Sequence, residues 1–238
     1  MRKLPFPFEN TMTRRQTLIG LVYFPIHVFV LAFWLPGLLV KFGIEDQATM
    51  NLVYYGIGVA LSFTAFWSFL RRGFDVLLDR LGHCILSFFM ALGLDYVLSY
   101  AVGLLMLAIA GGEQNPNDMA ISEIALQSGG MVRAVGIFMA PIVEEILFRG
   151  VIFGAVREKN RLAAYVITVA MFALYHVWQY ALAYGDWGMM VYILQYIPVG
   201  IVLCWLFERS GSIWMPIGFH MMINAMSFTV ERILSQAA

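Results

Sequence analysis

The chain has 238 residues, of which 61% are hydrophobic and 13% charged, with mean hydropathy +0.77; soluble domains carry roughly 25% charge. Fifteen basic and fifteen acidic residues cancel to a formal charge of zero, so no basic surface argues for nucleic acid and the placement of charge says more than its sum. These values exclude a soluble domain and describe an all-α polytopic bundle of transmembrane helices whose surroundings are the lipid bilayer.

Residues 1–16 carry Arg2, Lys3, Arg14 and Arg15 and read as a short cytoplasmic tail. The apolar run 17–40 is too long for a signal-peptide core and has no small-residue cleavage site behind it, so it is expected to stay as the first span. Further spans are predicted over 51–70, 82–110, 131–156, 161–184, 188–207 and 212–233, each near the roughly 20 residues that a bilayer needs. The connection 111–130 has room for a short interfacial helix over 119–127. With the amino terminus inside, the cytoplasmic loops collect Arg71, Arg72, Arg80, Arg157, Lys159, Arg161 and Arg209 besides the tail, while the far side holds Lys41, Arg133 and Arg232. That asymmetry orients the chain with a cytoplasmic N-terminus. Glu113, Asp118 and Glu123, with no base beside them, suit an outer loop. Cys84 and Cys204 lack CxxC spacing and read as packing residues. No repeat or low-complexity tract appears, so 1–238 reads as a single integral-membrane domain.

The expensive stretch is Ala140-Pro-Ile-Val-Glu-Glu-Ile-Leu-Phe-Arg-Gly150, where two carboxylates and a guanidinium sit inside an apolar run. Ionisable groups at membrane depth cost about 3 kcal/mol each on insertion scales and mark a functional site by default. Glu145 and Arg149 are i,i+4 and are expected to pair. Glu144, about 100° away around the helix, is left to face His176. At 1.5 Å per residue, Glu144, His176, His220 and Asn224 lie roughly 18, 22, 12 and 18 Å from the cytoplasmic ends of their spans. Three separate spans therefore bring polar groups to similar depths. Pro141 is expected to kink the helix where the site begins, and Gly150 and Gly154 to admit a close neighbour.

Such a set can activate water. Glu144 is the candidate general base, with His176 shuttling the proton or holding the water. His220 and Asn224, on one helix face, can donate to the oxyanion formed when water attacks a carbonyl, an effect of about 3 to 4 kcal/mol per donor. Together they describe hydrolysis of an acyl bond, best read as a peptide. No G-x-S-x-G elbow or Cys-His arrangement supplies a serine or cysteine nucleophile. Two alternatives stay open: zinc held by Glu144, Glu145, His176 and His220, although no HExxH spacing occurs, and a non-catalytic binding or immunity protein of the same fold. His27 reads as a packing residue, His83 as an interface residue, and Asp95 as a carboxylate that braces Arg149 or lines a wet cavity.

Glu144-Glu145-x-x-x-Arg149, Phe172-x-x-x-His176 and His220-x-x-x-Asn224, in that order on successive apolar segments, resemble the three motifs of the CPBP intramembrane glutamic endopeptidases, which include the type II CAAX prenyl endopeptidases and bacteriocin-processing enzymes. Glu208-Arg-Ser-Gly-Ser-Ile-Trp214 precedes the third motif, as is common in that family. The resemblance covers a protease core of about 131–227. It implies a helical membrane fold, often of eight spans, so seven to eight are expected here. It further implies a metal-independent peptidase in which Glu144 and His176 activate water, His220 and Asn224 form the oxyanion hole, and Glu145 and Arg149, with Phe172, brace the site. No cofactor is implied. The expected substrate is a peptide or protein, such as a prenylated tail or a leader peptide, reaching a cavity that opens toward the cytoplasm from a bacterial plasma membrane.

Overall fold

A computed structural model describes residues 8–111, 115–128 and 130–237. Among them the chain forms no strand and runs through nine helices. These are α1 Arg14–Lys41, α2 Gln47–Ala65, α3 Trp67–Asp79, α4 Leu81–Ala110, α5 Pro116–Ser128, α6 over 130–157, α7 Arg161–Tyr184, α8 Trp187–Ser210 and α9 Trp214–Ala237. Arg2 and Lys3 of the expected tail, and Glu113 of the expected outer loop, lie outside the described residues.

Lipid explains the surface. In α4 the most apolar window has mean hydropathy 1.9 and only 6% of it is buried, a face that water would not tolerate at this length. Four helices, α1, α4, α7 and α8, are long and apolar enough to cross a membrane, and the α2–α3 pair adds a fifth if taken as one broken span. Seven to eight spans were expected; α6 and α9 fall outside the set because they give positions to Glu144, Glu145, Arg149, His220 and Asn224.

The span expected over 51–70 is not straight. α2 ends at Ala65 and α3 leaves it at 76°. The reason is in α3 itself, where Phe69, Leu70 and Gly73 are buried while Arg71, Asp75 and Asp79 are exposed, an amphipathic pattern that lies along a surface rather than through a membrane. Ser212 Oγ donates to the Gly73 carbonyl at 2.7 Å and Trp214 Nε1 to the Leu70 carbonyl at 2.8 Å, tying α3 to the start of α9. A helix over the residues 119–127 expected to form one is present as α5.

α6 runs through the centre, with every residue from 143 to 154 buried. Helices in lipid gain from close approach rather than from hydrophobic transfer, and α1 and α2 come close through glycine. A Cβ on Gly20 would stand 2.2 Å from Val151 Cγ2, and one on Gly58 2.8 Å from Val143 Cγ2. Gly150 and Gly154 are approached as expected, by Met12 and Phe69 and by Asn10. The irregularity expected near Pro141 takes the form of π turns at Val135–Met139 and Ile146–Phe153, flanking the α segment Ala140–Glu145. Ala140 N–H reaches back five residues to the Val135 carbonyl, a widened turn of the kind that accommodates a proline and often occurs at functional sites. On the other flank, α8 packs against α4 and α7.

Candidate active site

α6 carries Glu144 and Glu145, α7 carries Phe172 and His176, and α9 carries His220 and Asn224. The fold brings all of them around one point. Glu144 is 4% exposed, and its Oε2 faces His176 Nε2 at 3.7 Å and His220 Nε2 at 3.9 Å. Both gaps exceed hydrogen-bond length, and Oε2 makes no hydrogen bond to protein. The other oxygen, Oε1, accepts from the Tyr55 hydroxyl at 3.0 Å.

The imidazoles are held by their far nitrogens. His176 lies where the α part of α7 ends at Tyr175, and its Nδ1 sits 2.8 Å from the Phe172 carbonyl. A carbonyl only accepts, so Nδ1 carries the hydrogen and Nε2 is the atom turned to Glu144. Tyr196 stacks on the His176 ring, with centroids 4.5 Å apart and planes 23° from parallel. His220 Nδ1 sits 2.8 Å from Glu145 Oε1, again leaving Nε2 for Glu144.

Glu145 and Arg149 pair as their spacing predicts, at 2.8 Å with both side chains fully buried. Arg149 also donates to the Gly200 carbonyl at 3.3 Å and stands 4.3 Å over the Phe172 ring. The same carboxylate oxygen of Glu145 thus serves Arg149 and His220, a link that the i,i+4 pairing did not contain. Asn224 lines the cavity, but one of its amide hydrogens is used on the Gly136 carbonyl at 2.8 Å. A second hydrogen is left on the same nitrogen.

Sequence reasoning missed the tyrosines. Tyr54 and Tyr55 from α2 and Tyr175 from α7 form a chain of hydroxyls, with Tyr175 3.4 Å from each of the other two. Tyr54 gives its hydrogen to the His27 carbonyl at 3.0 Å and Tyr55 gives its own to Glu144, so the Tyr175 hydrogen is the one shared along the chain. His27 is a packing residue as expected, stacked on Tyr54 at 4.4 Å with Nδ1 3.2 Å from the Tyr23 hydroxyl. The one signal was two adjacent tyrosines inside an apolar run.

A cavity of about 470 Å³ rises from this point. Asp95 lines it, with Oδ1 buried and unpaired, and so does not brace Arg149. Around its upper wall, Asn115 and Asn117 each donate to the Tyr196 hydroxyl at 3.0 Å. Among the described residues no three His, Cys, Asp or Glu side chains are spaced to hold a metal ion.

Residues 130–226, the stretch that supplies α6 through most of α9, match the family described as type II CAAX prenyl endopeptidase Rce1-like. The match takes in all three motifs, so this stretch is similar to that family. Two of the similar proteins bear peptidase or protease names. The "Putative membrane peptidase YdiL" of Bacillus subtilis is 32% identical over 114 residues, 48% of this chain and 42% of that one. The "Membrane-embedded CAAX protease MroQ" of Staphylococcus aureus is 30% identical over 139 residues, 56% of this chain and 53% of that one. The "UPF0177 protein YxdF" of Lactococcus lactis is 25% identical over 96 residues, 40% of this chain and 48% of that one. The chain therefore spans about half the length of the curated relatives it matches. No solved structure matches it.

One pair of expectations does not hold together. A cytoplasmic N-terminus and a cavity open to the cytoplasm were both read from the sequence, yet the cavity is lined by Leu31 and Pro36 of α1 and by Gln47 and Asn51 of α2. These stand at the Lys41 end of α1, opposite Arg14.

Proposed function

We propose that this chain is an intramembrane endopeptidase that hydrolyses a peptide bond with water activated by Glu144 and His176. The observation that supports this reading most is the convergence of His176 Nε2 and His220 Nε2 on Glu144 Oε2, at 3.7 and 3.9 Å, at the floor of an accessible cavity. Separations just beyond direct bonding suit a water between the groups.

In this mechanism Glu144 takes a proton from water as its oxygen attacks the scissile carbonyl carbon. His176, its Nδ1–H fixed on the Phe172 carbonyl, accepts the water's other hydrogen at Nε2 and so aims the lone pair. Negative charge then grows on the carbonyl oxygen. His220, with Nδ1–H on the Glu145 carboxylate, can hold a second proton at Nε2 and donate it to that oxygen, joined by the spare amide hydrogen of Asn224. Collapse breaks the C–N bond, and the proton on Glu144 passes to the leaving amine. Arg149 and Phe172 keep Glu145 and the two rings in register.

The test is comparison of membrane-peptide fragments from cells carrying the unaltered protein, Glu144→Gln or His176→Ala. Both variants are expected to insert and fold with cleavage lost. Unchanged fragments in either variant would rule out the mechanism, and fragments identical across all cells, including cells without the protein, would favour a binding role.

A further inference from the structure

The cavity and the basic residues lie at opposite ends of the molecule. The lining comes from the Lys41 half of α1, the beginning of α2, residues 132–144 of α6, the beginning of α8 and residues 220–228 of α9. With α3 and α5 counted as parts of the connections, the long helices α1, α2, α4, α6, α7, α8 and α9 run alternately up and down, so all of these segments fall at the same end of the bundle, where Asn115 also stands. Below Glu144 the molecule is shut, since Ile146, Phe148, Arg149 and Phe153 are at most 1% exposed.

The closed end carries Arg71 and Arg72 within α3, and Arg14, Arg15, Arg80, Arg157, Lys159, Arg161 and Arg209 at helix ends and in short connections. It is also clamped electrostatically: Glu208 at the end of α8 accepts from Arg157, Arg161 and Tyr165. The open end has Lys41, Arg133 and Arg232. Among the described residues the lining includes Asp95, Asp118 and Glu144 but no Lys or Arg. Bias of Lys and Arg in short loops is the main determinant of orientation in a bilayer, with the rich side in the cytoplasm.

We infer that the site opens to the non-cytoplasmic face of the membrane, so that its substrate is a neutral or cationic peptide segment presented on that side and not a prenylated tail in the cytoplasm. The naming of a substrate rests on the peptidase reading; the sidedness rests on charge and cavity geometry alone. An acidic, uncharged-polar mouth disfavours acidic segments, which would meet Asp118 on entry.

The experiment uses the full chain in a background with the buried Cys84 and Cys204 replaced by alanine. Single cysteines are introduced as Gln47→Cys, exposed on the cavity rim, and Lys159→Cys, exposed at the closed end. Intact cells and inverted membrane vesicles are treated with a membrane-impermeant maleimide. Gln47→Cys is expected to label in intact cells and Lys159→Cys only in inverted vesicles; the reverse pattern overturns the inference. A protease-sensitive tag ahead of residue 1, with no internal substitution, reads the same sidedness if a variant fails to accumulate: protection in intact cells supports the proposal, and cleavage from outside refutes it. Neither readout needs turnover. An outward-labelled protein that cuts nothing would defeat the peptidase reading and leave the orientation standing.

Discussion

Glu144 and Glu145 differ by one position and by everything around them. One oxygen of Glu145 is shared by Arg149 and His220, while Glu144 has a single protein hydrogen bond, from Tyr55, and an oxygen left open beside two imidazoles. A base needs that open oxygen, and a bracing group needs the opposite. Tyr55→Phe removes only the hydroxyl that aims the carboxylate; a hydrogen bond to such a group is worth about 1.5 to 3 kcal/mol. Turnover is expected to fall about ten- to hundredfold if that energy is lost from the transition state, with a smaller loss of thermal stability, read as kcat alongside thermal unfolding. Arg149→Met should do the reverse. It leaves Glu145 buried with its strongest partner gone, for which truncation of buried pairs gives a cost of about 3 to 5 kcal/mol. Folded yield is expected to drop sharply while activity per folded molecule falls less, and equal loss in both would make Arg149 part of the chemistry.

At the scale of elements, α6 is the helix that the others are fitted to. Its π turns sit on either side of the acid pair, and its neighbours reach it where they lack a side chain. Gly58→Leu would drive a side chain into Val143, one residue before Glu144, and overpacking of this kind costs about 1 to 3 kcal/mol. The expected result is a lower melting temperature and weakened catalysis together. Gly37→Leu is the control, since a Cβ there meets nothing within 4 Å; equal damage from both would show that helix-level glycine effects, not contact with α6, are being measured. The bend between α2 and α3 belongs to this scale too. The charge at Arg71 closed the expected span at residue 70, but residues 66–70 still counted toward it, because apolar content alone does not register that Phe69 and Leu70 are the buried face of an amphipathic helix already under way.

For the molecule as a whole, access is through one end. Asn51 lies on the cavity wall toward the opening, so Asn51→Trp is expected to narrow the entrance, lowering kcat/KM for long peptides more than for short ones without altering the melting temperature. Equal effects on both lengths would place the entrance elsewhere. The sequence by itself determined the all-helical membrane class, the order of the three motifs and which of the adjacent glutamates pairs with Arg149. The class and the pair follow from local quantities, namely apolar run length and the angle between neighbours on one helix, and the motif order is written directly in the chain. Tertiary structure alone decided that Tyr55 would aim Glu144 across 89 residues and that His220 would meet Glu145 across 75. It also decided which end of the bundle is hollow. Those features depend on how far helices from distant parts of the chain stand apart at each depth, and no periodicity along a single helix encodes that spacing.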